Sequence, residues 1–126
     1  MEHEDLTGRI IGCAMTVHRV MGAGFLETIY HKALMIELQK QGVLYESEKP
    51  VEVSYAGHSV GNYYADLLVS GTVIVELKAV EKLSVSHEVQ LVNYLTATGF
   101  DIGLLINFGG SKLEFKRKFR QKKVSS

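Results

Sequence analysis

Residues 66–78, DLLVSGTVIVELK, form the segment around which the rest of this chain can be arranged. Two apolar runs flank Gly71, a pattern typical of a β-hairpin with a tight turn. If the hairpin is symmetric about Gly71, residue 69 pairs with residue 73 and Asp66 lies directly opposite Glu76. Side chains alternate along a strand, so Glu76 and Lys78 point to the same face. The segment therefore predicts two carboxylates and one amine gathered on one face of a sheet.

Two adjacent carboxylates repel each other, which raises the pKa of one of them unless a cation lies between them. Mg²⁺ or Mn²⁺ would meet this need, since both prefer oxygen ligands: Asp66, Glu76, a main-chain carbonyl such as that of Leu77, and water or phosphate. Such an ion acidifies a bound water, and Lys78 would stabilise that water or the phosphate. This pattern indicates a metal-dependent phosphodiesterase-type site.

A solvated salt-bridged patch is the alternative interpretation of Asp66, Glu76 and Lys78. The run 73–77 argues against it, because a nearly continuous apolar strand is typical of a sheet covered on both faces. Charged side chains in such a strand need a specific reason to be there. We therefore favour the metal site.

Hydrophobic periodicity predicts the elements on either side of the hairpin. Spacings of three and four residues predict helices over residues 6–21, 26–38 and about 86–98. Alternation and short apolar runs predict strands at 51–55, 59–69, 72–78, 101–107 and 113–119. The run 101–107 is expected to be a buried strand that pairs in parallel after a helical crossover. The predicted order is α-α-β-β-β-α-β-β.

Length and composition favour a single domain over residues 1–126. A chain of 126 residues with 46% hydrophobic content can close one core. No segment approaches the ~20 apolar residues of a membrane span, and the acidic N-terminus does not resemble a signal peptide. We expect a cytoplasmic protein without a membrane partner. The single cysteine, Cys13, falls at helical spacing among apolar residues and is expected in the core.

The motifs resemble those of a known superfamily. Asp66, followed by Glu76-Leu77-Lys78, resembles the PD-(D/E)XK nuclease signature, with Ala65 in place of its proline. The predicted order is similar to the superfamily's restriction-endonuclease-like α-β-β-β-α-β core, a mixed central sheet flanked by helices, with an extra N-terminal helix and C-terminal strand. The G-x-x-E-x-x-Y pattern of residues 24–30, with further motifs at 75–79, 90–94 and 105–109, resembles the GxxExxY protein family over nearly the whole chain.

The resemblance implies roles for three more residues. Glu27 matches a glutamate on the first core helix that joins the metal site, although the helix dipole also favours a carboxylate at that position. Gln90 and Tyr94 share one helix face and resemble the Q-x-x-x-Y motif that lines the active site in the RecB-like branch. On this helix Val89, Val92 and Leu95 are expected to pack on the sheet. An ordinary amphipathic helix with polar flanks is the alternative.

Charge is unevenly distributed although the net charge is zero. Residues 112–123 carry a local charge of +6, which leaves −6 on the remainder of the chain. Lys112, Lys116, Lys118 and Arg120 would largely line one face of the last strand and follow a phosphate backbone. Lysines that protect an edge strand from aggregation give the same pattern.

These observations predict a Mg²⁺- or Mn²⁺-dependent nuclease that hydrolyses phosphodiester bonds, with DNA favoured over RNA. Because the chain is small for an autonomous nuclease, a homodimer or a larger complex would supply further substrate contacts. The alternative is a catalytically inactive nuclease-fold module that binds nucleic acid or a protein partner. A purely structural oligomer is the third class.

Overall fold

The computed structural model describes the backbone of residues 2–121 and the side chains of residues 5–121. Its three helices are α1 (Glu2–Met21), α2 (Glu27–Lys40) and α3 (Val85–Thr98). Its seven strands are β1 (Tyr45–Ser47), β2 (Pro50–Tyr55), β3 (His58–Tyr64), β4 (Leu67–Val69), β5 (Val73–Lys78), β6 (Ile102–Asn107) and β7 (Glu114–Phe119). Within the described residues, no helix combines the length and the apolar character that crossing a membrane requires.

Five of these strands form a mixed sheet in the order β1-β4-β5-β6-β7. The β5 and β6 strands are parallel, whereas the other neighbouring pairs are antiparallel. Parallel neighbours need a long crossover, and α3 provides it between β5 and β6. All six residues of β6 are buried. The predicted buried strand, its parallel pairing and the helical crossover are therefore confirmed.

Both faces of the sheet are covered, as the apolar character of β5 predicts. Val73, Val75 and Leu77 belong to a core cluster with the apolar faces of α1 and α2. Ile74 points the other way and packs with Leu91 of α3 and its neighbours. Cys13 is buried in the first cluster, which confirms its expected place in the core. Glu76 and Lys78 follow Ile74 on the α3 face.

The β4–β5 hairpin has the predicted register. Val69 pairs with Val73, and Leu67 pairs with Val75. Ser70 and Gly71 both have positive φ, at 52° and 69°, a conformation that glycine adopts without steric cost. The turn therefore returns the chain so that the residues preceding Leu67 approach the end of β5.

Three details of the predicted arrangement are wrong. The segment 59–69 is not one strand, because the chain breaks at residues 65 and 66; β3 pairs with β2 in a separate two-stranded sheet, while β4 joins the main sheet. The short strand β1, which pairs with β4, was not expected. Val89 does not pack on the sheet and is 51% exposed; it lies two residues from Leu91, on the opposite side of the helix.

Candidate active site

Asp66 lies directly before β4, and Glu76 lies near the end of β5. The Oδ2 atom of Asp66 accepts a hydrogen bond from the main-chain N–H of Leu77, at 2.7 Å. Leu77 directly follows Glu76 in β5, so this bond holds the carboxylate of Asp66 next to Glu76. The predicted approach of these two carboxylates is therefore present in the structure.

Burial is the main cause that raises the pKa of Glu76, to about 8, and repulsion by Asp66 raises it further. The hydrogen bond from the Tyr63 hydroxyl and the positive charge of Lys78 act in the opposite direction. A group with this pKa is mostly protonated at neutral pH in the metal-free protein. A cation placed between the two carboxylates would favour the charged form of Glu76.

Glu27 is the first residue of α2 and shares the electrostatic environment of this pair. Burial raises its pKa, the charge of Asp66 raises it further, and Lys78 and His31 lower it. The structure thus brings Glu27, Asp66, Glu76 and Lys78 into one region. However, no group of three His, Cys, Asp or Glu side chains among the residues the structure describes is arranged to hold a metal ion.

The donor set nevertheless fits a hard divalent cation of the Mg²⁺ type. Such an ion needs only one or two protein carboxylates, because water and substrate phosphate complete its shell. Asp66 and Glu76 supply two, and the raised pKa of Glu76 marks a site that gains from a positive charge.

Tyr30 explains how the loop before Glu27 is held. Its hydroxyl donates to the carbonyl of Gly22 at 2.5 Å and accepts from the main-chain N–H of Phe25 at 3.2 Å. Its ring stacks on Phe108, with 4.7 Å between ring centroids. Gly24 has a φ of 106°, which side-chain-bearing residues rarely adopt. The glycine and tyrosine of the G-x-x-E-x-x-Y pattern therefore fix the turn from which Glu27 begins α2.

A cavity of about 130 Å³ lies between β5 and α3, on the face that carries Glu76 and Lys78. It is lined by Tyr63, Glu76, Lys78, His87, Gln90, Leu91, Tyr94 and Leu105. Gln90 and Tyr94 therefore meet the β5 residues, as the helix pattern predicts. Asp66 and Glu27 are not among the lining residues, so the cavity is the part of the site nearest α3.

Sequence reasoning missed Tyr63. Its hydroxyl donates a short hydrogen bond to Oε1 of Glu76, and its ring stacks on Tyr94 with centroids 4.0 Å apart and planes 12° from parallel. Burial, followed by the charge of Glu76, raises the pKa of Tyr63, so its hydroxyl remains a donor. In a continuous strand Tyr63 and Asp66 would face opposite sides of the sheet, because they are three positions apart. Only the break at Ala65 lets both approach Glu76.

The end of β5, and with it Lys78, is held by a buried amide. Asn107, which pairs with Lys78 across the parallel strands, is fully buried. Its Oδ1 accepts from the N–H groups of Val80 and Gly109, at 2.9 and 3.0 Å. Its Nδ2 donates to the carbonyl of Val80 and to Oε1 of Glu114, at 2.8 and 2.9 Å. Every polar atom of this side chain is thus used to fix the backbone that follows Lys78.

Of the four basic residues predicted to contact nucleic acid, two form ion pairs within residues 5–121 and two do not. Lys118 contacts Glu88 at 3.1 Å, and Arg120 contacts Asp101 at 2.7 Å. Lys112 and Lys116 are exposed, and neither takes part in an ion pair within residues 5–121.

Lys116 has a direct geometric relation to the candidate site. It pairs with Leu105 of β6, and Leu105 in turn pairs with Glu76 of β5. These three residues form one row across the sheet, on the face that carries the cavity. Neighbouring strands lie about 5 Å apart, so the backbone of Lys116 is about 10 Å from that of Glu76.

A mixed sheet with an acidic residue at one hairpin strand and E-x-K on the other defines the restriction-endonuclease-like class. The chain belongs to the PD-(D/E)XK nuclease superfamily, whose family model matches residues 4–118. Among solved structures, the crystal structure of SSO0001 is similar in fold: the TM-score is 0.61 and the sequence identity 18%, over 76% of this chain. The match covers 50% of SSO0001, so the chain spans about half of its length. Curated protein sequences gave no significant match.

These comparisons confirm the restriction-endonuclease-like fold and the superfamily that the sequence motifs predict. The superfamily is described as one of nucleases.

Proposed function

We propose that this protein is a nuclease that hydrolyses phosphodiester bonds with a bound Mg²⁺ or Mn²⁺ ion. The observation that carries the proposal is the Asp66–Glu76 pair, in which burial and mutual repulsion raise the pKa of Glu76 to about 8. A pair of this kind gains most from a divalent cation. Asp66, Glu76 and the Leu77 carbonyl would hold the ion, with Glu27 joining directly or through water.

When bound, the ion supplies Lewis acidity towards a phosphoryl oxygen and lowers the pKa of a coordinated water. Lys78, on the same face as Glu76, places a positive charge where negative charge develops on the phosphate. Gln90 and Tyr94 line the cavity beside Lys78 and would orient the substrate or the attacking water. Asn107 holds the backbone that follows Lys78, and this limits the positions that the amine of Lys78 can reach.

Nucleic acid would contact the surface of Lys112, Lys116, Lys118 and Arg120. Among these, Lys116 is the strongest candidate because it is exposed and lies in the same row of the sheet as Glu76. The ion pairs of Lys118 and Arg120 reduce the charge that these residues offer to phosphates. We favour DNA as the substrate, and a homodimer or larger complex as the functional assembly.

Within the superfamily, we place the chain in the GxxExxY family, with the Q-x-x-x-Y motif of the RecB-like branch. The contacts of Tyr30 with Gly22 and Phe25 support this placement because they explain the tyrosine of the motif, and the positive φ of Gly24 explains its glycine. The presence of Gln90 and Tyr94 in one cavity with Glu76 supports the second motif. Residues 1–126 would act as a single domain.

The alternative is a nuclease-fold module that binds nucleic acid or a protein partner without turnover. One observation favours it: the described residues contain no cluster of three metal-binding side chains.

A cleavage assay separates these two functions. Labelled single-stranded, double-stranded and branched DNA and RNA are incubated with the protein and Mn²⁺, or with chelator. Cleavage that is lost both in chelator and in Lys78→Ala supports the nuclease. Lys40→Ala is the matched control, since Lys40 lies at the opposite end of α2 from Glu27. Binding that persists in chelator, with no cleavage in Mn²⁺, supports the module.

Calorimetric titration with Mn²⁺ tests the metal site separately. Asp66→Ala should abolish the heat of binding that the wild-type protein gives. Asp101→Ala is the control, because Asp101 is exposed and pairs with Arg120. Equal heats from Asp66→Ala and wild type would remove the proposed site.

A further inference from the structure

The β2–β3 hairpin is separate from the main sheet. It pairs with none of the five strands of that sheet, and almost all of its residues are exposed. Only Val51, Val53 and Tyr63 are partly buried. An isolated two-stranded hairpin is at best marginally stable in water, so its few contacts with the rest of the protein determine where it lies. Its neighbour in the structure is α3.

Tyr63 makes the two specific contacts that attach this hairpin to the candidate site. Its ring stacks on Tyr94 of α3, and its hydroxyl donates to Oε1 of Glu76 on β5. The same side chain lines the cavity with Lys78 and Gln90. One residue therefore connects the hairpin, the crossover helix and a candidate metal ligand.

These contacts have different consequences for a bound cation. The stacking on Tyr94 involves no atom that a cation would need. The hydroxyl bond, in contrast, reaches Oε1 of Glu76, one of the hard oxygens that Mg²⁺ and Mn²⁺ prefer. The two carboxylate oxygens offer about four lone-pair sites, so this bond leaves Glu76 able to hold a cation and fixes the direction in which the carboxylate points.

We infer that Tyr63 is a positioning residue: its hydroxyl orients Glu76, and its ring and hydroxyl together hold the β2–β3 hairpin over the cavity. The orientation of Glu76 towards a cation rests on the proposed metal-dependent function, whereas the hold in the metal-free protein does not.

Amide hydrogen exchange on the metal-free protein tests the hold. Tyr63→Phe keeps the ring on Tyr94 but removes the hydroxyl, and should speed exchange of β2–β3 amides about tenfold. Glu76→Leu removes the acceptor and should give the same acceleration, with no further increase in the double variant. Tyr64→Phe is the matched control, because this neighbouring tyrosine is exposed on the other face of β3. Exchange in α1 should stay unchanged in every variant.

A second measurement tests the orientation of Glu76. Tyr63→Phe leaves this carboxylate without the donor that orients it, and should therefore bind Mn²⁺ several-fold more weakly than Tyr64→Phe does.

Exchange and affinity in Tyr63→Phe that match Tyr64→Phe would overturn the inference and leave the nuclease proposal intact. If wild type binds no Mn²⁺, the proposed function and the orientation of Glu76 towards a cation are both contradicted. The metal-free comparison then decides whether Tyr63 holds the hairpin to Glu76.

Discussion

The Oδ2 atom of Asp66 accepts a hydrogen bond from the main-chain N–H of Leu77, at 2.7 Å. Asp66 precedes the paired residues of β4, and this bond holds its side chain against β5. Leu77 itself points to the opposite face and is buried among α1 and α2. The main chain of Leu77 therefore holds Asp66, while the side chain of Leu77 anchors β5 in the core. Asp66 is thereby kept next to Glu76.

Replacing Asp66 with Asn should lower the pKa of Glu76. The negative charge of Asp66 is the second-largest cause of the raised value, after burial. The pKa should fall below about 8 but remain above 4.5, because burial still acts. Side-chain ¹³C shifts of Glu76, followed through a pH titration of the metal-free protein, measure this change. Asp101→Asn should leave the titration of Glu76 unaltered; an unaltered titration in Asp66→Asn would contradict the proposed coupling.

The stability of the metal-free protein should depend on pH through Glu76. Its folded pKa of about 8 exceeds the ordinary value of 4.5, so the folded state binds this proton more tightly than the unfolded state. The resulting stabilisation is complete below about pH 4.5 and is lost as the pH rises to about 8. Relative to Glu76→Gln, the free energy of unfolding of wild type should fall by up to about 1.4 kcal/mol per pH unit in this range.

Urea denaturation of both proteins at several pH values measures this difference. Mn²⁺ added at the high end of the range should restore wild-type stability and leave Glu76→Gln less affected, since a ligand of the folded state stabilises it. A stability difference that stays constant with pH would show that Glu76 has an ordinary pKa.

Gly109→Ala should destabilise the fold by about 3 kcal/mol or more. A Cβ atom there would lie 2.5 Å from the nitrogen of Val80 and 2.6 Å from the carbonyl carbon of Ala79, both of which are backbone atoms. The backbone must then shift, and the hydrogen bonds of Asn107 that hold the end of β5 would be lost.

Gly8→Ala is the contrasting variant. Gly8 lies within α1, and an added Cβ would meet no atom within 4 Å. The free energy of unfolding of this variant should rise by about 0.5–1 kcal/mol, because alanine favours the helix more than glycine does. Urea denaturation distinguishes the two variants, and a Gly109→Ala protein as stable as wild type would argue against the tight packing of the 79–80 segment on Gly109.

Lys116→Ala should weaken nucleic-acid binding. It should also reduce, by about 1, the magnitude of the slope of the logarithm of the binding constant against the logarithm of the salt concentration. Lys118→Ala should change the slope less, because Glu88 already neutralises Lys118. Anisotropy of a fluorescent DNA duplex, titrated in chelator between about 50 and 200 mM salt, gives both slopes. Equal slopes for wild type and Lys116→Ala would show that phosphates do not contact this row of the sheet.

The sequence predicts the acidic half of the site well because that half depends on short-range geometry. Alternation along β5 and symmetry about Gly71 are enough to place Asp66 beside Glu76, and the observed pairing of Val69 with Val73 agrees. The Gln90–Tyr94 face of α3 follows from helical periodicity in the same way.

The β2–β3 hairpin and its contact with the site could not be predicted, because they depend on the break between β3 and β4 at residues 65 and 66. Residues 59–69 contain no glycine or proline near the break, apart from Gly61 four residues earlier. The break is set by tertiary contacts, including the hydrogen bond from the N–H of Glu48 to the carbonyl of Asp66. The contact between Tyr63 and Glu76 is a consequence of that break.

The topology also implies that the Asp66–Glu76 pair and the contacts that β6 brings to the site form at different stages of folding. Asp66 and Glu76 are joined by a turn of a few residues, so closing that loop costs little chain entropy and can happen early. Asn107 of β6 reaches the end of β5 only when β6 docks beside β5 across the whole 79–101 connection. A nascent chain would thus carry the Asp66–Glu76 pair before Asn107 fixes the backbone after Lys78.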